Sequence, residues 1–206
     1  MVKKFNNTAQ ATPLSEAEAF LQKERIKYER RNDGTIFVPG NIDLSRRNLK
    51  KLPDLSNVHV DGDFWCNNNK LISLAGAPQS VGGSFLCYNN QLTDLTDAPQ
   101  NIGGDFWCQK NQLTSLMGAP QSIRGSFWCQ NNQLPDLYGG PHTFKFLYSD
   151  FSNFTSWDEI PDDVKMSAQT KQRLEEKVIR DVHDAMYNSP AMPFKPPPLR
   201  KARTMP

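Results

Sequence analysis

Residues 84–104 read SFLCYNNQLTDLTDAPQNIGG, and the same frame occurs in four copies at steps of 21 residues. Each copy carries one cysteine, and the apolar and proline positions of the frame return with it. The four cysteines are Cys66, Cys87, Cys108 and Cys129. A fixed period of this size predicts one structural coil per repeat, with the coils stacked into a solenoid.

One side of each repeat is predicted to point into its coil. Phe85 and Cys87 alternate with Leu86, which is the period of a short strand. The positions that stay apolar in every clear repeat form the inward set, represented here by Phe85, Cys87, Leu92, Leu95 and Ile102. A straight inward column of cysteines cannot surround zinc tetrahedrally, and stacked strands give poor disulfide geometry. The cysteines are therefore predicted to be buried, free thiols.

Four further repeat positions predict how the coil turns. Asn90 stands where the chain leaves the strand, and its side chain is expected to bond backbone groups of its own turn and of the next coil. Pro99 suits an extended return along the back of the coil. Gly103 and Gly104 are expected to allow the tight turn into the next strand.

The frame F-x-C-x-x-N-x-L-x-x-L resembles the core of the leucine-rich-repeat family, and the resemblance covers roughly Ile42 to Pro161. Together with the leading segment KYERRNDGTIFVPGNIDLSRRNLKKLP, at residues 27–53, the repeats look like short leucine-rich-repeat proteins of bacteriophages and bacteria. This resemblance implies a leucine-rich-repeat solenoid, mostly of short parallel strands with an irregular convex side. It also implies a protein-interaction scaffold without catalytic residues.

The flanks predict a cap at each end of the solenoid. Residues 1–40 are interpreted as a disordered start followed by a helix–hairpin cap. Ser15 and Glu18 form a capping box for a helix through about Lys27, and residues 32–34 read as a hairpin turn. The solenoid is assigned to residues 41–166, a capping helix to 167–188 and a disordered, basic, proline-rich tail to 189–206.

The terminal coils are expected to depart from the frame. Ile42, Leu44, Leu49 and Leu52 fill a shifted first coil, whereas Asn153, Phe154 and Trp157 are interpreted as a worn final coil. The C-terminal helix carries an apolar stripe of Leu174, Val178, Val182 and Met186. This stripe is expected to cover the last coil, and the alternative is a surface offered to a partner.

Composition indicates an ordinary globular chain of 206 residues with a net charge of +2. No apolar run approaches a membrane span and no signal-peptide pattern is present. We therefore expect a cytoplasmic site of action, in the host if the chain is phage-encoded, with secretion by a non-classical route left open. The three histidines belong to no catalytic or metal-binding motif. We expect neither enzymatic activity nor a cofactor or metal, and the weakly basic tail does not indicate a nucleic-acid or membrane partner.

The outward positions of the strands are the candidate binding site. If Phe and Cys point inward, the residue between them faces outward, and amides and carboxylates flank it. The predicted partner-binding residues are Trp65, Leu86, Trp107, Trp128, Tyr88, Gln109, Gln130 and Asp105. Aromatic side chains among amides are typical of protein interfaces, which favours a protein partner. Three alternatives remain: a ladder that only stabilises the sheet, a carbohydrate-binding surface, or a structural part of a phage particle.

Overall fold

The structure is a computed structural model that describes residues 14–187, apart from the side chains of His183, Met186 and Tyr187. The predicted tail at residues 189–206 and most of the predicted disordered start lie outside this range. The described chain forms a parallel-strand solenoid of about five coils. The solenoid architecture predicted from the 21-residue period is therefore confirmed.

Residues 14–187 contain twelve short strands and three helices. The helices are α1 (Glu16–Lys23), α2 (Asp162–Lys165) and α3 (Ala168–Tyr187), and a 3₁₀ turn spans Trp157–Glu159. The strands are β1 (Glu29–Arg30), β2 (Ile36–Val38), β3 (Ile42–Asp43), β4 (Val58–Val60), β5 (Phe64–Trp65), β6 (Ser80–Val81), β7 (Phe85–Leu86), β8 (Asn101–Ile102), β9 (Phe106–Trp107), β10 (Phe127–Trp128), β11 (Leu147–Tyr148) and β12 (Asn153–Phe154).

The coils build two sheets. A seven-stranded sheet runs in the order β12-β11-β10-β9-β7-β5-β3, and a five-stranded sheet runs β1-β2-β4-β6-β8. All neighbours are parallel except the terminal pairs β1–β2 and β11–β12. The sequence analysis predicted one strand per coil and an irregular convex side. This prediction is corrected by the five-stranded sheet, which gives several coils a second strand. Val81 and Ile102 point into the core from this second sheet, and their main chains pair from coil to coil.

The inner phenylalanine column, defined as Phe64, Phe85, Phe106 and Phe127, forms the centre of the core. All four side chains have zero exposure, and neighbouring ring centroids are 5.5 to 5.6 Å apart. The four cysteines are buried beside them as free thiols, as predicted. Burial raises the pKa of the Cys87 thiol far above its usual range, because the low-dielectric interior disfavours the thiolate.

An asparagine ladder closes the turns after β5, β7, β9 and β10 of the seven-stranded sheet. The Asn111 amide donates to the carbonyl oxygens of Cys87 at 3.1 Å and Cys108 at 3.0 Å, and its oxygen accepts from Leu92 N–H at 3.0 Å. Asn69, Asn90 and Asn132 repeat this arrangement. The predicted ladder is confirmed, with the correction that each amide reaches the preceding coil instead of the next one.

Gly103 and Gly104 lie in the bend between β8 and β9, as predicted, and the close stacking of coils is the reason that glycine is needed there. Gly103 and Gly104 do not adopt a positive φ. A Cβ atom on Gly104 would lie 2.8 Å from the carbonyl carbon of Gly83 in the preceding coil. The corner between the two sheets therefore excludes any side chain at this position.

The N-terminal segment contains the predicted helix and hairpin, but α1 ends at Lys23 instead of about Lys27. The capping box at Ser15 is present. The helix stops because Arg25 adopts a left-handed conformation (φ 57°) and Ile26 N–H bonds the Leu21 carbonyl, which is a Schellman arrangement. Leu21 is fully buried in the core cluster. The guanidinium of Arg30 binds the Glu18 carboxylate and lowers the pKa of Glu18 from 4.5 to about 2.

The C-terminal end departs furthest from the prediction. The final parallel strand is β11, and the residues interpreted as a worn coil include β12, which runs antiparallel to it. The expectation that the helical stripe covers the last coil is wrong for Val178 and Val182, which are 61% and 53% exposed. Their side chains project away from the solenoid, because α3 contacts it only near its first turns. Ile160 is buried in the core cluster instead, with Trp157 packed against it.

Candidate functional site: an outer aromatic ridge

The outward strand positions form one continuous column. Parallel register places Trp65 beside Leu86, Leu86 beside Trp107, Trp107 beside Trp128 and Trp128 beside Tyr148. We call these five residues the outer ridge, and the surface of the seven-stranded sheet that carries it the ridge face. The alternation predicted from sequence accounts for this placement, since every inner phenylalanine is followed by one outer-ridge residue.

The ridge residues are half-buried because they pack on one another. Trp107 and Trp128 have ring centroids 5.3 Å apart at a 43° tilt. Trp128 stacks on Tyr148 at 3.7 Å with an interplanar angle of 17°, and Tyr88 leans on Trp107 at 6.0 Å. Stacking within the outer ridge therefore stabilises the sheet, and the ridge remains partly accessible. A stabilising role and a binding role for the ridge are compatible.

Ring stacking limits what the ridge can bind. A sugar ring stacks on an open aromatic face, but one face of Trp128 is covered by Tyr148 and its other side faces Trp107. Trp65 has no aromatic ring contact within the described residues, and Leu86 separates it from Trp107. The middle of the ridge consequently presents ring edges and side-chain rims, which are suited to side chains and backbone of a protein.

Asp105, the carboxylate predicted to flank the ridge, already forms hydrogen bonds within the fold. Asp105 Oδ1 accepts a hydrogen bond from Ser126 N–H of the next coil at 2.7 Å. Asp63 Oδ1 accepts from Ser84 N–H in the same way, also at 2.7 Å. The second oxygen of Asp105 lies 3.4 Å from the indole nitrogen of Trp107, which donates to it. Asp105 thus orients Trp107 and is half-buried.

The amides beside the ridge hold unsatisfied polar atoms. Across residues 14–187, three buried side-chain polar atoms lack a hydrogen-bond partner: Gln109 Oε1, Gln130 Oε1 and Trp128 Nε1. All three belong to the ridge face of two neighbouring coils. Trp128 follows Ser126, which offers no carboxylate like that of Asp105, so its indole N–H stays unpaired. Leaving such groups unpaired costs about 1–3 kcal/mol each, and a partner that supplies complementary groups recovers part of that cost.

Tyr148 was not predicted as part of the site. It stands 20 residues after Trp128 instead of 21, so a strict repeat frame passes over it. The apolar run Phe146-Leu147-Tyr148 is the sequence signal that identifies the strand. With Tyr148 included, Trp107 is the middle residue of the five-residue ridge.

The rest of the described chain offers little chemistry. Among residues 14–187, no group of three or more His, Cys, Asp or Glu side chains could hold a metal ion. In the same range, no helix has both the length and the apolar content needed to cross a membrane. His59 Nδ1 lies 2.7 Å from Ser80 Oγ on the five-stranded sheet, away from any buried nucleophile, since the four thiols lie inside the coils.

Comparison of the chain with protein-family models, curated proteins and solved structures gave no match.

Proposed function

We propose that the protein is a non-enzymatic interaction scaffold that binds a protein partner through the ridge face. One observation supports this proposal most strongly: the stacked rings and the unpaired polar atoms of Gln109, Trp128 and Gln130 lie on the same face of the sheet. Buried aromatic anchors with satisfied hydrogen bonds around them are typical of interface hot spots. Glutamine amides turn about their own side-chain torsions, so a partner's N–H groups can meet them without backbone movement.

We also propose that the solenoid is of the leucine-rich-repeat type, with α1 and the β1–β2 hairpin closing its N-terminal end. The asparagine ladder and the spacing of inner residues support this proposal. If the likeness to short phage and bacterial proteins holds, the partner is a host protein in the cytoplasm. The covered ring faces make a carbohydrate ligand the weaker alternative.

The proposal is tested by capturing partners on the immobilised full chain from lysate of the cells in which the protein acts. The variant Trp107→Ala/Trp128→Ala removes the centre of the ridge. A central tryptophan contributes roughly 2 kcal/mol or more to binding, so retention of the partner should fall at least about tenfold. The matched control is Ile72→Ala/Met117→Ala, which removes exposed apolar side chains outside the ridge face; it should capture like the unmodified chain.

Melting is followed for both variants, and capture is measured well below the lower melting temperature. Equal capture by the ridge variant and the unmodified chain would refute binding through this face. Binding of purified oligosaccharides that the ridge variant loses would identify the carbohydrate alternative as correct. Stoichiometric recovery of the chain in purified phage particles would favour a structural role.

A further inference from the structure

Gln109 and Gln130 stand level with each other on the ridge face, in two neighbouring coils. The main-chain N–H of Lys110 bonds the carbonyl oxygen of Gln130 at 3.1 Å, and the tryptophans two positions earlier pair in register. Both glutamine side chains are half-buried, and the Oε1 atom of each lacks a hydrogen-bond partner within residues 14–187. Two unpaired acceptors therefore come from the same column, one coil apart.

The asparagine ladder shows which kind of group can satisfy two acceptors at this spacing. A single nitrogen, Nδ2 of Asn111, donates to the carbonyl oxygens of Cys87 at 3.1 Å and Cys108 at 3.0 Å, which belong to successive coils. A main-chain amide carries only one N–H, whereas an ammonium carries three and each terminal nitrogen of a guanidinium carries two. The group that bridges the glutamine oxygens is therefore a lysine, an arginine or a primary amide.

The charge of the solenoid favours a cationic group over a neutral amide. Lys110 follows Gln109, and the Asp150 carboxylate accepts from the backbone N–H of the residue after Gln130 at 2.7 Å. These two local charges have opposite signs, so the wider field sets the preference. Residues 52–166 carry twelve Asp and Glu against five Lys and Arg, although the whole chain has a net charge of +2. An acidic solenoid attracts a basic partner.

We infer that the ridge face receives a lysine or arginine side chain of the partner, whose nitrogen bridges Gln109 Oε1 and Gln130 Oε1. This inference rests on the proposed function and names the chemistry of the group that the partner inserts. A charged nitrogen that leaves water requires acceptors, and the two amide oxygens provide them. Trp107 and Trp128 lie on the same face, so in the complex these bonds form in surroundings of low dielectric, where they are stronger.

Paired leucine substitutions test the two acceptors. Gln109→Leu/Gln130→Leu removes both oxygens, so capture of the partner on the immobilised full chain should fall at least about tenfold. The melting temperature should stay equal or rise, because two buried unpaired atoms are removed. The matched control Gln112→Leu/Gln133→Leu changes two exposed glutamines of the same coils and should capture like the unmodified chain. Unchanged capture by the first variant would overturn the inference.

Charge substitutions at Gln130 test the sign of the partner's group. Gln130→Glu keeps an acceptor and adds a negative charge, so retention of the partner should increase, whereas Gln130→Lys should abolish retention. The difference between the two variants should shrink as salt is raised from about 50 to about 500 mM, because the Debye length shortens. Stronger retention by Gln130→Lys, or equal retention by the two variants, would overturn the inference.

Chemical modification of the lysate identifies the side chain. Acetylation of lysines removes their charge and leaves one N–H, whereas guanidination keeps the charge and several donors. Capture that is lost after acetylation and kept after guanidination identifies a lysine, and capture that is lost after treatment with phenylglyoxal identifies an arginine. Capture that survives both blocking reactions would overturn the inference.

Failure of this inference is distinguishable from failure of the proposed function. If Trp107→Ala/Trp128→Ala loses capture and Gln109→Leu/Gln130→Leu keeps it, the ridge face binds the partner and only the cation-binding inference is wrong. If both variants keep capture, the proposed function and the inference are refuted together.

Discussion

The inner phenylalanine column and the outer ridge occupy adjacent positions of the same short strands, yet they differ in how closely they keep the repeat. The inner column is phenylalanine in all four central coils and is fully buried. The outer ridge changes from Trp65 to Leu86 and back to Trp107, and it is half-buried throughout. The inner position accepts only one residue type because the side chains of neighbouring coils must stack on one another. The outer position tolerates different residue types because its side chains contact solvent or a partner on one side.

The largest expected effect concerns the cysteine thiols, which lie inside the coils beside the inner phenylalanine column. The thiols should be labelled by a small electrophile only after the coils open. Since folded domains are stable by about 5–15 kcal/mol, labelling of the native protein should be slower than that of the unfolded chain by roughly a thousandfold or more. Rapid labelling of Cys87 and Cys108 in the native protein would break the comparison.

Truncation of the inner column should cost the most stability of any single change. Phe106→Ala leaves a cavity between Phe85 and Phe127 and should reduce the free energy of unfolding by about 3–5 kcal/mol. Urea denaturation followed by circular dichroism measures this loss. A reduction below about 1 kcal/mol would mean that the coils repack freely around the vacancy.

The asparagine ladder should contribute less than the inner column and more than the exposed surface. Asn111→Ala leaves the Leu92 N–H without its side-chain acceptor and removes one of the two amide donors to the Cys87 carbonyl, which should cost about 1–3 kcal/mol. The neighbouring Gln112→Ala, whose side chain is exposed, serves as the control and should change stability by under about 0.5 kcal/mol. Equal melting of the two variants would exclude a structural role for the ladder.

Within the outer ridge, the contribution to stability should follow the number of ring contacts. Trp128 contacts the rings of Trp107 and Tyr148, and each aromatic pair contributes about 0.5–1.5 kcal/mol. Trp128→Ala should therefore lower the free energy of unfolding by about 1–3 kcal/mol more than Trp65→Ala does. Equal losses would show that stacking does not distinguish the two ends of the ridge.

The sequence predicted features that depend on the strict 21-residue period and missed those that depart from it. Inner and outer columns followed from alternation, because Phe106 and Trp107 lie in a strand whose faces differ. The second sheet was missed because β6 and β8 have polar outward residues and lie directly before glycine pairs, which were interpreted as turns. Tyr148 was missed because its coil is one residue shorter. The exposure of Val178 could not be predicted, since an apolar stripe on a helix does not indicate which surface, if any, packs against it.

Footprinting by hydroxyl radicals, with and without the captured partner, tests most directly whether the outer ridge is the recognition surface. Tyr88, Trp107 and Trp128 should lose oxidation severalfold when the partner is bound, whereas the exposed side chains of Ile72 and Met117 should react as before. Protection confined to Val178 and Val182 of α3, with an unchanged ridge, would contradict the account.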